Sequence, residues 1–285
     1  MSFDQIKVLA KQVICALFAL ILPLIGIGTM GEGTKGPDPE TVRIMSFNVR
    51  DGEFDREEIV PQVISDYYPD SVGLQECEGT WYLTLQTYLT DYEIVGVGRL
   101  FGTPYVGEST AIMYRKAKYK LVDWGTFWLS ETPNYPSKGW DANYNRTCTW
   151  AVLENRETGK QYAHFNTHLD NGGAEARKNG IDLILKKIAK FDMPVVVTGD
   201  FNLSKGSDLY NKIVADKLTD VSTIAATADS GGTAHGYGGG TGGNPIDFIF
   251  VNDKITDVKS YNIMREKYND RYVSDHYPIY ADMVF

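Results

Sequence analysis

Polar and acidic residues stand where apolar, β-rich runs end. Asn48 closes Ser46-Phe47-Asn48, Glu76 follows Leu74-Gln75, and His168 and Asp170 lie in Asn166-Thr167-His168-Leu169-Asp170. Further along, Asp200 and Asn202 end a third run in Gly199-Asp200-Phe201-Asn202. Asp247 opens Asp247-Phe248-Ile249-Phe250, and Ser274-Asp275-His276 precedes the last apolar stretch. Burying a carboxylate is costly unless a cation or hydrogen bonds compensate it. If the strand ends converge, these groups therefore imply a shared partner. Oxygen donors such as Glu76, Asn48 and Asp275, beside Asp200 and Asp247, suit Mg2+, Mn2+ or Ca2+ and fit soft or structural zinc poorly. His168 and His276 near such an ion could place or receive a proton while amide donors bind an anionic oxygen.

Period-two alternation supports convergence. From His164 onward, His164, Asn166, His168 and Asp170 share one face of a strand, while Phe165, Thr167 and Leu169 share the other. Asp200 and Asn202 likewise fall on one face. Singly, each residue has a plainer reading. Asn48 could be a turn residue, Glu76 a helix cap or surface carboxylate, Asp200-Phe201-Asn202 an Asx turn, Asp275 half of a polar loop pair, and His164 a satisfied sheet residue. Together and in this order, the plain readings explain less than one shared site does.

The elements that must position these residues are mostly strands. Thr41 to Val49 and Ser71 to Glu76 are β-rich and flank a helical pattern at Glu57 to Tyr67, where Ile59, Val63 and Ile64 share a face and Pro61 sits near the first turn. A helix-like stretch at Trp81 to Leu89 precedes β-like segments at Tyr92 to Val97, Thr110 to Tyr114, Tyr119 to Trp128, Thr147 to Leu153 and Gln161 to Leu169. Ile181, Ile184, Leu185 and Ile188 form an i, i+3, i+4, i+7 helical stripe. Pro194 to Thr198 reads as a buried strand, Leu209 to Ala215 as a short helix, and Ile246 to Val251, Val258 to Tyr261 and Pro278 to Val284 as strands. The glycine-rich segment Gly231 to Gly243 lacks a P-loop or dinucleotide fingerprint. It reads as a mobile surface loop, or as a lid because Asp247 follows it.

At 285 residues with 43% hydrophobic and 23% charged side chains, the chain can bury a large core. Its net charge of -9 disfavours a broad electrostatic grip on nucleic acid or anionic lipid. Val13 to Ile27 is an apolar run behind Lys7 and Lys11, so residues 1–30 read as a signal peptide or, if uncleaved, a membrane anchor. A secreted or membrane-anchored, extracytoplasmic location follows, with residues 31–39 as a linker and 40–285 as one domain. Cys15 falls within the apolar run. Cys77 and Cys148 could pair in an oxidising compartment or remain separate buried thiols.

Ser46-Phe47-Asn48, Leu74-Gln75-Glu76, Thr167-His168-Leu169-Asp170, Gly199-Asp200-Phe201-Asn202, Ile246-Asp247-Phe248 and Ser274-Asp275-His276-Tyr277-Pro278 together resemble the endonuclease/exonuclease/phosphatase superfamily of metal-dependent phosphoesterases. The resemblance runs from about Arg43 to the C-terminus. It implies an α/β fold, a four-layer α/β sandwich of two packed mixed β-sheets flanked by helices, deoxyribonuclease-like, with the site at one edge. It also implies roles. Glu76 binds the metal with Asn48 beside it, and Asp275 approaches that metal or a second one. Asp200 orients or deprotonates the attacking water, Asn202 binds the phosphate, and His168 hydrogen-bonds the phosphoryl oxygens. His276 is the second histidine, oriented by Asp247.

Arg50 stands where abasic-site endonucleases place an acidic residue, which points away from DNA repair. Thr167 to Arg177 is similar to secreted bacterial and sugar- or lipid-phosphate branches. Arg177, Arg146, Arg50 and Asp170 are candidate substrate contacts, the arginines through their guanidinium forks. Trp128, Trp140 and Tyr144 could line a sugar, base or lipid pocket or belong to the core. The expectation is a Mg2+- or Mn2+-dependent phosphoric ester hydrolase, monomeric, acting on a small sugar phosphate or lipid headgroup. A secreted nuclease is the alternative, and a catalytically silent binding module of the same fold is the non-enzymatic one.

Overall fold

The alternating runs become strands whose inward faces grade from apolar to polar along their length. A computed structural model describes residues 35–285 except 39, 53–55, 105, 239, 241 and 242. The expected signal peptide or anchor, and residues 31–34 of the expected linker, lie outside the described residues. Among the described residues, no helix is long and apolar enough to cross a membrane. The first half comprises β1 (Val42–Asn48), α1 (Ile59–Tyr67), β2 (Ser71–Gln75), α2 (Gly79–Tyr88), β3 (Tyr92–Val95), β4 (Ile112–Arg115) and β5 (Tyr119–Trp128). Then come β6 (Thr147–Asn155), β7 (Gln161–His168), α3 (Ala174–Ile188), β8 (Val195–Asp200), α4 (Asp208–Ala215) and β9 (Leu218–Asp220). The chain finishes with β10 (Thr227–Ala228), β11 (Asp247–Asn252), β12 (Asp257–Ile263) and β13 (Ile279–Val284).

Two mixed sheets result, ordered β10-β12-β13-β1-β2-β4-β3 and β5-β6-β7-β8-β11-β9. Because successive side chains alternate, the central strands each serve two cores. Met45 and Phe47 of β1 pack with Val63, Ile64, Trp81 and Leu85 under α1 and α2. Phe165 of β7 and Val197 of β8 pack with Ile181, Ile184 and Tyr210 under α3 and α4. Ile44, Val196, Ile249 and Ile279 fill the space between the sheets. The order is helices, sheet, sheet, helices, as the four-layer α/β sandwich requires.

Polarity along the inner faces explains where the site lies. β1 pairs parallel with β2, and β7 with β8, so these strands end on one side in each sheet. β11 runs antiparallel to β8 and starts there, with Asp247 opposite Asp200. Midway, a buried chain of polar groups links the sheets. Gln75 Nε2 donates to Asn166 Oδ1 at 2.7 Å, Thr198 Oγ1 donates to the same oxygen at 3.0 Å, and Asn166 Nδ2 donates to the Leu74 and Ala111 carbonyls at 2.8 and 2.9 Å. His164 continues it, Nε2 at 2.8 Å from Thr198 Oγ1 and Nδ1 at 2.9 Å from Ser71 Oγ. The sheets approach so closely here that a Cβ on Gly73 would lie 1.9 Å from Thr198 Oγ1, and only glycine fits. One step further along these faces come Asn48, His168 and Asp200.

Several particulars differ from the sequence reading. Cys77 and Cys148 are free and buried in different cores, which leaves the separate-thiol alternative. Lys35, in the stretch read as a linker, donates its backbone N–H to Asp66 and accepts at its carbonyl from Arg43. The short strands β9 and β10 were not anticipated. The first part of the glycine-rich segment is not loose: residues 233–236 hydrogen-bond to residues 275–277.

Candidate active site

Asn48, Glu76, His168, Asp200, Asn202, Asp247 and His276 converge at the strand ends. Asp200 Oδ2 is the common point. Asn48 Nδ2 donates to it at 3.2 Å, His168 Nε2 lies 3.5 Å away and His276 Nε2 3.9 Å away. Asp200 Oδ1 accepts the Asn202 backbone N–H at 3.0 Å, so the expected Asx turn exists and serves the site. Burial and the adjacent Asp247 carboxylate push Asp200 above the usual carboxylate range, with the two histidines working against them. His276 Nδ1 meets Asp247 Oδ2 at 2.9 Å. Burial works to lower the His276 pKa, but Asp247, Asp200 and Asp275 outweigh it and raise it to about 10. His276 is therefore an imidazolium near neutral pH.

Backbone geometry turns the polar side chains out of their strands. Glu76 directly after β2, Arg50 two residues after β1 and Asn202 two residues after β8 all adopt left-handed φ, at 55°, 62° and 48°. This conformation costs a non-glycine residue about 1–2 kcal/mol, less for Asn. Its appearance at three neighbouring strand ends marks a functional edge. Glu76 is held there by Asn48 Nδ2, 3.1 Å from Oε1, and by the Asp51 N–H, 2.9 Å from Oε2.

Sequence reasoning missed two residues. Glu108, in the loop before β4, lies 2.9 Å from His168 Nδ1 and is the counterpart of Asp247 on the other histidine. Arg99 and Arg146 pair with the same carboxylate. Burial alone would raise Glu108, yet His168 and then the two arginines bring it down to about 2. Neither Glu108 nor Arg99 lies at a strand end, so no periodic pattern announces them.

The expected substrate contacts divide. Arg50 and Arg146 line the cleft, as do Arg99 and Tyr144. Asp170 does not: it is 1% exposed, accepts the Gly172 and Gly173 N–H groups at Oδ1, and braces Arg146 through Oδ2. Burial opposes its ionisation, but the surrounding backbone N–H groups hold it at about 2. Arg177 Nη1 donates to the Asp170 carbonyl at 2.7 Å, and its side chain is not among those lining the cleft. Asp275 faces Arg50 at 3.3 Å and is also outside the cleft lining. Trp128 is core, its indole N–H on the Arg99 carbonyl, and Trp140 lies outside the cleft lining.

The donor set fits a hard divalent cation. Asp200 and Asp247 bring carboxylate oxygens within 4.8 Å of each other, and Glu76 adds another carboxylate beside them, joined to Asp200 through the Asn48 amide N–H group. Two buried carboxylates pressed together need positive charge, and oxygen-dominated donors favour Mg2+, Mn2+ or Ca2+.

Known proteins share this sequence pattern and fold. A Bacteroides vulgatus endonuclease/exonuclease/phosphatase structure is 37% identical, with a TM-score of 0.80 over 85% of this chain and 98% of that one. A mannosyl-6-phosphatase of Bacteroides thetaiotaomicron is 30% identical, with a TM-score of 0.82 over 86% of this chain and 100% of that one. D. rerio TDP2, complexed with a single-strand DNA product, shares the fold at 20% identity, with a TM-score of 0.70 over 86% and 99% of the two chains. The profile of the Endonuclease/Exonuclease/phosphatase family matches residues 45–276. By sequence, fold and the residues gathered at its strand ends, the chain belongs to the endonuclease/exonuclease/phosphatase family.

Proposed function

We propose that this chain hydrolyses the phosphoester of a small, hydroxyl-rich substrate, a sugar phosphate rather than a lipid, with Mg2+ or Mn2+ as cofactor. The observation that carries this reading is the cleft itself. Its volume is about 420 Å3, and among the described residues lining it Tyr144 is the one aromatic and none is aliphatic. An acyl chain would find no apolar wall there, whereas sugar hydroxyls would find charged and amide partners. The 30% identity with a mannosyl-6-phosphatase supports the same direction.

Asp200 is the group to orient and deprotonate water. The His276 imidazolium, fixed by Asp247, faces the same point and can donate a proton or hydrogen bond to an ester oxygen. His168, fixed by Glu108, and the Asn202 amide can hold the remaining phosphoryl oxygens. Glu76, with Asn48 beside it, would hold the divalent cation, which supplies charge neutralisation at the phosphoryl oxygens when bound. Arg50, Arg99 and Arg146 add positive charge along the cleft for an anionic substrate. The apolar run Val13 to Ile27 supports an exported or membrane-anchored enzyme, a proposal tested by cell fractionation.

The test is a panel of hexose phosphates, phospholipids, DNA and RNA, assayed with Mg2+ or Mn2+ across a salt titration. Phosphate release from hexose phosphates, with little lipid turnover, is expected. Preferential cleavage of nucleic acid, weakening steeply with salt, would replace the reading by a nuclease. No metal-stimulated hydrolysis anywhere would leave the non-catalytic alternative.

A further inference from the structure

The first part of the glycine-rich segment is bonded to Asp247 and to the residues on either side of His276. Thr233 is fully buried. Its Oγ1 accepts the N–H groups of Ile246 and Asp247 at 3.1 and 3.2 Å, and its carbonyl accepts the Tyr277 N–H at 2.7 Å. The next residue, Ala234, forms an antiparallel bridge with His276, and the Asp275 carbonyl accepts from the His235 and Gly236 N–H groups at 2.9 and 3.1 Å. On this side of β11 the neighbouring strand β9 pairs only with Phe250 to Asn252. The start of β11 therefore has no ladder there, and the Thr233 hydroxyl supplies the acceptor.

We infer that Thr233 is a positioning residue for catalysis, clamping the strand end that carries Asp247 to the loop that carries His276 and so setting their 2.9 Å contact. The inference rests on the reading above, in which His276 acts on the substrate. Asp247 is the first residue of its strand and His276 belongs to no regular element. Sheet pairing alone leaves their separation loosely determined, and Thr233 is bonded to both sides at once. A misplacement of about 1 Å at a reacting group can cost about 100-fold in rate. A segment that begins with small residues suits this task because residues 233–236 can lie flat against the 274–277 loop.

The experiment compares Thr233→Val, which keeps the shape and removes the acceptor, with Thr233→Ser, which keeps the hydroxyl. Wild type, His276→Ala and Asp247→Asn are run beside them, using p-nitrophenyl phosphate with Mg2+ and rates normalised to folded protein by circular dichroism. Thr233→Val is expected to lower kcat by about 10-fold to 100-fold with KM within twofold, and Thr233→Ser to stay within threefold of wild type. In an Asp247→Asn background, Thr233→Val should cost less than threefold more, because both changes act through the same pair. Wild-type kcat in folded Thr233→Val, or a full multiplicative loss in the double variant, overturns the inference. If Thr233→Val does not fold, Thr233→Ala takes its place; failure of both makes Thr233 a residue of stability alone and also overturns it. A wild type with no metal-stimulated hydrolysis refutes instead the functional reading beneath.

Discussion

His168 and His276 aim their Nε2 atoms at the same oxygen, 3.5 and 3.9 Å from Asp200 Oδ2, and each is backed at Nδ1 by its own carboxylate at 2.9 Å. The two histidines come from different strand ends and carry different partners, Glu108 and Asp247. A phosphoryl group placed between them would be met from both sides, with Asp200 at the point of attack. Replacing Asp200 or His276 by Ala is expected to lower kcat by about 100-fold to 10,000-fold, the usual contribution of a positioned acid or base. Steady-state kinetics on variants shown to be folded by circular dichroism check this, and near-normal turnover in either would remove the residue from the mechanism.

Glu108→Gln tests the second backing carboxylate. The amide can still accept a hydrogen bond but no longer balances Arg99 and Arg146, which lie beside it in a buried corner. Stability is expected to fall by about 3 kcal/mol, as when one partner of a buried ion pair is removed. A urea melt at pH 7 measures it. Catalytic loss should accompany it, because His168 loses the charge that holds its ring. A melt unchanged within error would mean that the arginines find other partners.

How far the site was legible follows from where each residue sits. Asn48, Glu76, Asp200 and Asp247 announce themselves because a polar group at the end of an apolar, period-two run conflicts with burial unless something compensates it. Glu108, Arg99 and Thr233 lie in loops, where side-chain direction follows from turns that no periodicity encodes. Asp170 was read as a substrate contact because it shares the face of His168. Yet β7 ends at His168, and two glycines follow Asp170 whose N–H groups capture its carboxylate. For Arg177 the sequence offers a guanidinium near the site, and the structure shows that group donating to the Asp170 carbonyl.

That distinction separates two arginines. Arg146→Met is expected to lower kcat/KM for a phosphate ester by about 10-fold to 100-fold, since the charge lines the cleft beside His168 and Glu108. Arg177→Met should change it by less than about threefold, because its bond is to the Asp170 carbonyl. Equal losses in both variants would return Arg177 to the substrate site.

His164 makes stability depend on pH in a stated direction. It is wholly buried between the sheets, and burial lowers its pKa from 6.5 to about 3. Between those values the unfolded chain binds a proton that the folded chain refuses, so stability falls as pH falls, by at most about 1.4 kcal/mol per pH unit. Above 6.5 this group contributes no slope. Urea melts of wild type and His164→Gln at pH 7.5, 6.5, 5.5 and 4.5 should show lower stability in the variant at pH 7.5 and a flatter decline below 6.5. Parallel declines in the two proteins would assign the acid sensitivity elsewhere.

Divalent cations should stabilise the fold as well as support turnover. Asp200 and Asp247 are both 2% exposed and face each other across the β8–β11 pair. A cation bound beside them would relieve their repulsion in the folded state, and the unfolded chain has no equivalent cluster. Binding at 100 times the dissociation constant would add about 2.7 kcal/mol. Dialysis against EDTA followed by titration with MgCl2 or MnCl2 should therefore raise Tm in a saturable way. Glu76→Ala should weaken that rise and the activation of hydrolysis together, because its carboxylate sits on Asn48 next to Asp200. If the variant keeps the full thermal shift while losing activity, the stabilising ion binds away from Glu76, beside Asp200 and Asp247.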